Sequence, residues 1–418
     1  MSGNQRDHDI VLYGATGFVG KLTAQYLATA GSGARIALAG RSTDKLLAVR
    51  DSLGEAAQDW PLIAADASQP STLNEMAAGT RVVITTVGPY LRYGLPLVAA
   101  CAAAGTDYAD LTGESLFVRK AIDQYHEQAV ETGARIVNAC GFDSIPSDLT
   151  VFALYRQAQQ DGTGELTDTN FVARTFAGGV SGGTMASMLE FVREAAQDPD
   201  GRRLVEDPYT LSPDRAAEPE LGAQPDARWR RGREIAPELD GYWVGAFPMA
   251  LPNSRIVRRS NALLGYGYGR RFEYGEQMSL GRSVAAPVLA AMATAGNAAT
   301  IGLGTRFIDR VPRGVLERVL PKPGTGPDER TREKGHYTVE TYTTTSTGAR
   351  YVARMSQQGD PGYKATAVLL GESGLALALD RDKLSDLHGI LTPAAAMGDA
   401  LLARFPAAQV RLDVTRLT

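Results

Sequence analysis

The chain has 418 residues, 44% of them hydrophobic and 22% charged, with a formal net charge of −4. That length exceeds one ordinary core, so two domains are expected, and the composition is globular rather than disordered. The charge excludes a nucleic-acid binder that works by displacing counterions, since the short run Arg228-Trp229-Arg230-Arg231 lies close to acidic residues and reads as solvated surface.

Ile10–Tyr13 is a short apolar strand that ends in Gly14-Ala15-Thr16-Gly17-Phe18-Val19-Gly20, and Lys21–Ala30 reads as a helix. Arg35–Ala39 is a second strand, followed by Gly40-Arg41-Ser42 and a helix to about Leu53. The pattern repeats through strands Pro61–Ala65, Arg81–Thr85, Asp107–Asp110 and Arg135–Asn138. Helices Leu73–Ala78, Leu95–Ala104 and Leu116–Thr132 separate them. Strands alternating with helices specify parallel strands and crossover helices, so residues 1–150 are expected to form a doubly wound Rossmann-type α/β domain.

Beyond Asp148 the regularity fades, and loops are expected to dominate Asp207–Gly241. Tyr337–Thr345 and Arg350–Met355 flank a turn at Ser346-Thr347-Gly348 and read as an antiparallel hairpin. Gly362–Leu379 and Ala394–Phe405 read as helices. Residues 151–389 are therefore expected to form a second, α+β domain on a mixed or antiparallel sheet, and a helix within about 390–418 to return to the first.

Cys101 and Cys140 form no CxxC pair, and the four histidines are scattered, so neither a disulfide framework nor a metal site is expected. The polar Met1–Asp9 segment leads into the first strand without a signal-type apolar region, so a cytoplasmic location is expected. Val284–Leu303 is uncharged over a bilayer-length stretch. It is built mainly of Ala, Gly and Thr, with Pro287 and Asn297 inside it, so a buried or interfacial helix is expected, and peripheral membrane contact stays open.

The Gly14, Gly17 and Gly20 triplet lies between strand and helix, where a dinucleotide fingerprint belongs. There the first glycine allows a tight turn, the second lets backbone approach the pyrophosphate, and the third lets helix and sheet pack. Thr16, Phe18 and Val19 would present their backbone at the helix N-terminus to the phosphates. After the second strand an NAD site usually carries an acid. Here Arg41 and Ser42 stand instead, a guanidinium and a hydroxyl suited to a 2′-phosphate, so NADP(H) is the expected cofactor. Asp66 ends the third strand and is placed either to meet the adenine or to cap the next helix. Val87, Gly88 and Pro89 form a backbone wall at the end of the fourth strand, with Tyr90 and Tyr93 as candidate catalytic hydroxyls. Glu114 and the Phe142-Asp143-Ser144 turn follow later strands on the same edge as candidate substrate contacts, with Ser147 or Asp148 capping the next helix as the competing reading.

Gly179-Val180-Ser181-Gly182-Gly183 matches a nucleophile elbow, with His336 and His388 downstream. It lies outside the repeated β/α region, and a glycine-rich helix entry explains it equally well.

Gly14–Gly20, Thr86–Tyr90 with Tyr93-Gly94, and Gly141–Asp148 together resemble the saccharopine dehydrogenase-like family. The likeness continues through Lys322–Pro327 and Leu391–Asp399 and is strongest to the mycobacterial trans-acting enoyl reductases. That resemblance implies an NADPH-dependent reduction of an α,β-unsaturated acyl thioester. The implied partner is a polyketide synthase or acyl carrier protein in phthiocerol and phenolphthiocerol lipid assembly. A saccharopine-type reductase acting on an amino acid conjugate, and a cofactor-binding protein without catalysis, are the alternatives.

Overall fold

The computed structural model describes residues 6–178, 193, 194, 196, 199–302 and 326–418. The Gly179–Gly183 motif and residues 322–325 lie outside the described residues.

Seven parallel strands form the first sheet: β1 (His8–Tyr13), β2 (Ile36–Gly40), β3 (Leu62–Ala64), β4 (Thr80–Thr85), β5 (Asp107–Ala109), β6 (Arg135–Val137) and β13 (Gly389–Leu391). Their order is β13-β6-β5-β4-β1-β2-β3, so the winding reverses between β1 and β4. Apart from the half-exposed edge strand β3, these strands are buried on both faces, and alternate residues divide between two cores. Ile10, Leu12, Leu38, Val82 and Ile84 face one side, and Val11, Tyr13, Ala37, Ala39 and Val83 face the other. Period-two geometry imposes this division on a continuous apolar run.

The second sheet holds β7 (Leu166–Ala177), β8 (Arg230–Arg231), β9 (Trp243–Ala246), β10 (Glu273–Ser279), β11 (His336–Thr345), β12 (Arg350–Gln358) and β14 (Arg411–Arg416). Its order is β14-β12-β11-β7-β10-β9-β8. β7 and β10 run parallel and the other pairs antiparallel, so the sheet is mixed. The β11–β12 hairpin forms as expected, with Gly348 at φ +89° in its turn.

The chain crosses between the sheets more often than the sequence suggests. Helix 366–379 packs on β4 and on the helix Phe18–Thr29. Gly371 and Gly374 allow this, because an added Cβ would lie 2.5 Å from Tyr26 and 2.1 Å from Ile84. The return to the first sheet is made by β13, before the helix Pro393–Arg404, and β14 then rejoins the second sheet.

The helix Ala250–Leu263 lies within the stretch whose sequence looks irregular. Arg255, Arg258 and Arg259 are buried in it. Arg255 and Arg258 face Asp226, while Arg259 donates to the carbonyls of Leu211 and Ile390. Its polar residues join elements rather than meet water.

The described part of the uncharged segment forms the helix Ala286–Gly302. Ala286 and Ala290 are buried, and Ala290 backs closely onto Gly245 of β9. Val288 and Met292 are 60% and 64% exposed on the opposite side. Among the described residues, no helix is long and apolar enough to cross a membrane.

Candidate functional site

The turn after β1 is shaped by its glycines. Gly14 sits at φ +89°, a left-handed conformation strained for any side chain, and a Cβ there would meet Val87 at 2.7 Å. At Gly20 a Cβ would lie 2.2 Å from the Gly14 carbonyl oxygen, so helix and turn close onto each other only with glycine. Gly17 is the N-cap of the helix Phe18–Thr29, is exposed, and offers no side-chain cap. The N–H groups of Phe18, Val19 and Gly20 lie in that first turn, where an α-helix supplies no acceptor. Those of the half-buried Phe18 and Val19 are available to an anion, favoured further by the helix dipole, while Gly20 is buried against the turn. The fit to a dinucleotide diphosphate follows from the backbone alone.

Thr86 fastens the next loop to this turn by donating its hydroxyl to the Gly14 carbonyl at 3.2 Å. Val87, exposed Gly88 and Pro89 continue from β4, directly across the switch point from the glycine turn. Open α/β sheets bind ligands in this crevice.

Arg41 follows β2, is exposed, and makes no hydrogen bond or ion pair to a described residue, which leaves its guanidinium available to a 2′-phosphate. Ser42 caps the following helix through the Lys45 N–H at 3.4 Å. The Asp66 carboxylate accepts from the N–H and hydroxyl of Ser68, both at 2.9 Å. Those bonds, with a smaller contribution from Arg41, hold it below the usual carboxylate range. The helix Pro70–Ala78 starts later, at N-cap Gln69, so Asp66 organises the preceding turn rather than capping the helix.

The two tyrosines part company. Tyr90 is 3% exposed, packs on Phe117, and donates its hydroxyl to the Thr85 carbonyl at 3.2 Å. Its ring supports the wall from below, and burial pushes its hydroxyl well above the ordinary tyrosine range. Tyr93 is half-buried, with the Arg92 guanidinium 5.1 Å from its ring centroid.

Glu114 is 1% exposed, and its two oxygens accept from the N–H groups of Tyr90 at 2.9 Å and Leu91 at 2.8 Å. It anchors the β4 loop from the loop that follows β5. Phe142 packs on Tyr337 and Phe176, and Ser144 donates to Asn253 at 2.8 Å. The Asp143 carboxyl makes no hydrogen bond or ion pair to a described residue, and burial pushes it up to about 6. Ser147 and Asp148 lie inside the helix Ile145–Asp161, so neither caps it. Asp148 instead accepts from the Ala394 N–H at 2.8 Å and from Ser260, with its carboxyl raised by burial to about 7.

Two features escape a reading of the sequence. Asp110, fully buried, accepts from Tyr108, Asn138, and the N–H groups of Thr112 and Ala139. It thereby holds the loops after β5 and β6 together and secures Ala139 at φ +65°. An acid just after a strand, in Asp110-Leu111-Thr112-Gly113, is the only signal in the sequence, and it is not distinctive. A second buried cluster joins Asn253, Tyr274 and Glu276, with Asn253 and Tyr274 donating to the Glu276 carboxyl at 2.9 and 2.8 Å. Among the described residues, no cluster of His, Cys, Asp and Glu could hold a metal ion.

Sheet order, glycine turn and switch-point wall together define a Rossmann-type oxidoreductase. The family model for the saccharopine dehydrogenase NADP binding domain matches residues 10–137, so the cofactor is NADP(H). A trans-acting enoyl reductase of Mycobacterium tuberculosis is 65% identical over 419 residues, covering 100% of each chain. One of Mycobacterium ulcerans is 63% identical over 418 residues, also covering 100% of each. The chain belongs to the trans-acting enoyl reductase family, whose nucleotide-binding domain is of the saccharopine dehydrogenase type. The saccharopine dehydrogenase (L-Glu forming) of Saccharomyces cerevisiae shares the fold, with a TM-score of 0.55, 14% identity, and 98% and 99% of the two chains covered.

Proposed function

We propose that this protein is a trans-acting enoyl reductase that reduces an α,β-unsaturated acyl thioester held on the acyl carrier of a modular polyketide synthase. The pathway we assign is phthiocerol and phenolphthiocerol assembly, leading to dimycocerosate and phenolic glycolipid products. The carrying observation is the likeness to named enoyl reductases across the full length of both chains, second sheet included. The saccharopine-type alternative rests on the shared fold and on the match of the nucleotide-binding domain, residues 10–137.

NADPH, when bound, supplies the hydride for the β-carbon. The glycine turn orients the diphosphate through its free N–H groups, and Arg41 selects the 2′-phosphate. The Gly88-Pro89 wall shields the crevice from water on the β4 side. Reduction then needs a donor toward the thioester oxygen, where negative charge develops, and a proton for the α-carbon. Tyr93 and Asp143 are assigned to these tasks. The Tyr90 hydroxyl is already committed to the Thr85 carbonyl, and both Glu114 oxygens already accept from backbone. The exposed face of the helix Ala286–Gly302, with Val288 and Met292, is assigned to peripheral contact with a lipid surface.

The test is turnover of carrier-bound enoyl thioester by wild-type, Tyr93→Phe and Asp143→Asn proteins. Each variant is expected to lose at least tenfold in kcat while binding NADPH normally. Full turnover by both removes the assignment of the two side chains. Oxidation of NADPH by a saccharopine-type imine, and not by an enoyl thioester, overturns the assigned reaction.

A further inference from the structure

The phosphate site of the first domain carries no side-chain cap of its own, yet the second half of the chain closes over its lip. Phe18 is the first residue of the cofactor helix, and helical geometry tilts its side chain back over the glycine turn. Tyr363 meets its ring edge-on, with centroids 4.8 Å apart. Gly326 is seated against the same ring so tightly that a Cβ there would lie 2.6 Å from it. The Arg332 guanidinium lies 5.3 Å from the Phe18 centroid.

Arg332 is held in this place by the backbone. Its carbonyl accepts from the Asp360 N–H at 2.9 Å, and the Gly335 carbonyl accepts from Gly359 at 2.7 Å. Gly335 lies so close to Asp360 that an added Cβ would come within 2.4 Å of the Asp360 Cα. Asp360 caps the turn Pro361–Ala365, which runs into the helix 366–379. That helix is locked to the cofactor helix through Gly371 against Tyr26 and through the Tyr26 hydroxyl on Glu372. The position of Arg332 is thus registered to the very helix whose N-terminus faces the cofactor.

The guanidinium keeps donors to spare. One of its nitrogens donates to the Pro327 carbonyl at 2.6 Å, and no described carboxylate forms an ion pair with it. The acids nearby form their hydrogen bonds and ion pairs elsewhere, and the Arg332 charge favours ionisation of the Asp328 and Asp360 carboxyls without an ion pair to either. Asp328 accepts from the Thr331 N–H at 2.8 Å, Glu333 pairs with Lys364 at 2.5 Å, and Asp360 accepts from the Lys364 N–H at 3.2 Å. The second Asp360 oxygen is buried without a partner among the described residues.

We propose that Arg332 is a cofactor ligand supplied from outside the nucleotide domain, binding the dinucleotide diphosphate opposite the N–H groups of Phe18 and Val19. A planar guanidinium matches two phosphate oxygens, and its place 5.3 Å from the Phe18 ring centroid keeps it beside the glycine turn. The site is complete only when both halves of the molecule are packed together, so cofactor binding and inter-domain packing reinforce each other. The proposal rests on the NADP(H) reading of the first domain.

Calorimetric titration of the full chain with NADPH, and separately with adenosine 2′-phosphate, tests it. Arg332→Ala is expected to raise the NADPH Kd by about tenfold or more, the loss of a charge-assisted bond. It should leave adenosine 2′-phosphate, which lacks the diphosphate, unaffected. Arg332→Lys should recover part of the affinity. An NADPH Kd within twofold of wild type overturns the proposal. So does an equal loss for both ligands, which marks a general disturbance of the site. If Arg332→Ala lowers the melting temperature, Arg332→Gln replaces it, keeping the stem over Phe18 and a donor for Pro327, with the same expectation. Absence of NADPH binding by the wild-type chain overturns the cofactor reading itself, and a wild-type isotherm separates that outcome from the others.

Discussion

Glu114→Gln tests whether the β4 loop is held from the loop after β5. In the native chain two backbone N–H groups, of Tyr90 and Leu91, donate to the two oxygens of one buried carboxylate at 2.9 and 2.8 Å. Glutamine keeps one acceptor and turns an NH2 group toward the other N–H, so one bond is lost. A hydrogen bond to a charged acceptor contributes about 1.5–3 kcal/mol. The helix it caps spans only Tyr90–Tyr93, far too short to be stable alone. At about 1.4 kcal/mol per tenfold, local opening should become roughly 10- to 100-fold more frequent. Amide hydrogen exchange reads this directly. Tyr90 and Leu91 should exchange faster by that factor, while Val82–Ile84 in β4 stay protected. NADPH affinity should fall with it, because the Gly88-Pro89 wall rides on the same loop. Unchanged exchange at Tyr90 and Leu91 would refute the anchoring argument, and so would an equal acceleration across the sheet.

Arg41→Ala should weaken NADPH binding by about 10- to 100-fold and leave NADH binding nearly unchanged, measured as two Kd values. A preserved preference for NADPH would contradict the role of that guanidinium. Gly20→Ala places a Cβ 2.2 Å from the Gly14 carbonyl oxygen, so NADPH affinity and melting temperature should both drop; retention of both would mean that the turn yields more easily than its packing indicates. Glu276 predicts a pH dependence. Burial raises its carboxyl from 4.5 to about 8, so between those values the folded chain holds a proton that the unfolded chain has released. Stability must then fall as pH rises above about 4.5, and this contribution is lost through about pH 8. Asp148, raised to about 7, acts with the same sign. Melting temperatures of Glu276→Gln followed from about pH 5 to pH 9 should decline less steeply than those of wild type; identical slopes would exclude Glu276 as a source.

The nucleotide half is legible because its signals are local. Continuous apolar strands such as Ile10–Tyr13 are cut by Gly-rich turns, and a glycine triplet at fixed spacing leaves few alternatives. Element starts shift by a few residues, as where the first helix begins at Phe18 rather than Lys21, because the cap lies within the glycine motif itself. The helix Ala250–Leu263 is hidden for the opposite reason. Its buried arginines look like surface until Asp226 and the carbonyls of Leu211 and Ile390 are brought to them from distant parts of the chain. The same long-range pairing decides the roles of Tyr90 and Glu114. Sequence places both at the crevice, while only tertiary contacts reveal that a hydroxyl and a carboxylate there are already bonded to backbone. Arg332 lies over 300 positions from the turn it adjoins and carries no motif.

The central claim is the reaction, and the most direct measurement is loss of the reduced-nicotinamide absorbance on adding enoyl thioester bound to its acyl carrier protein, with NADH as control. Oxidation that requires the enoyl double bond and prefers NADPH is the predicted result. Tight NADPH binding with no oxidation on any carrier-bound enoyl thioester would contradict the assigned reaction while leaving the nucleotide site intact.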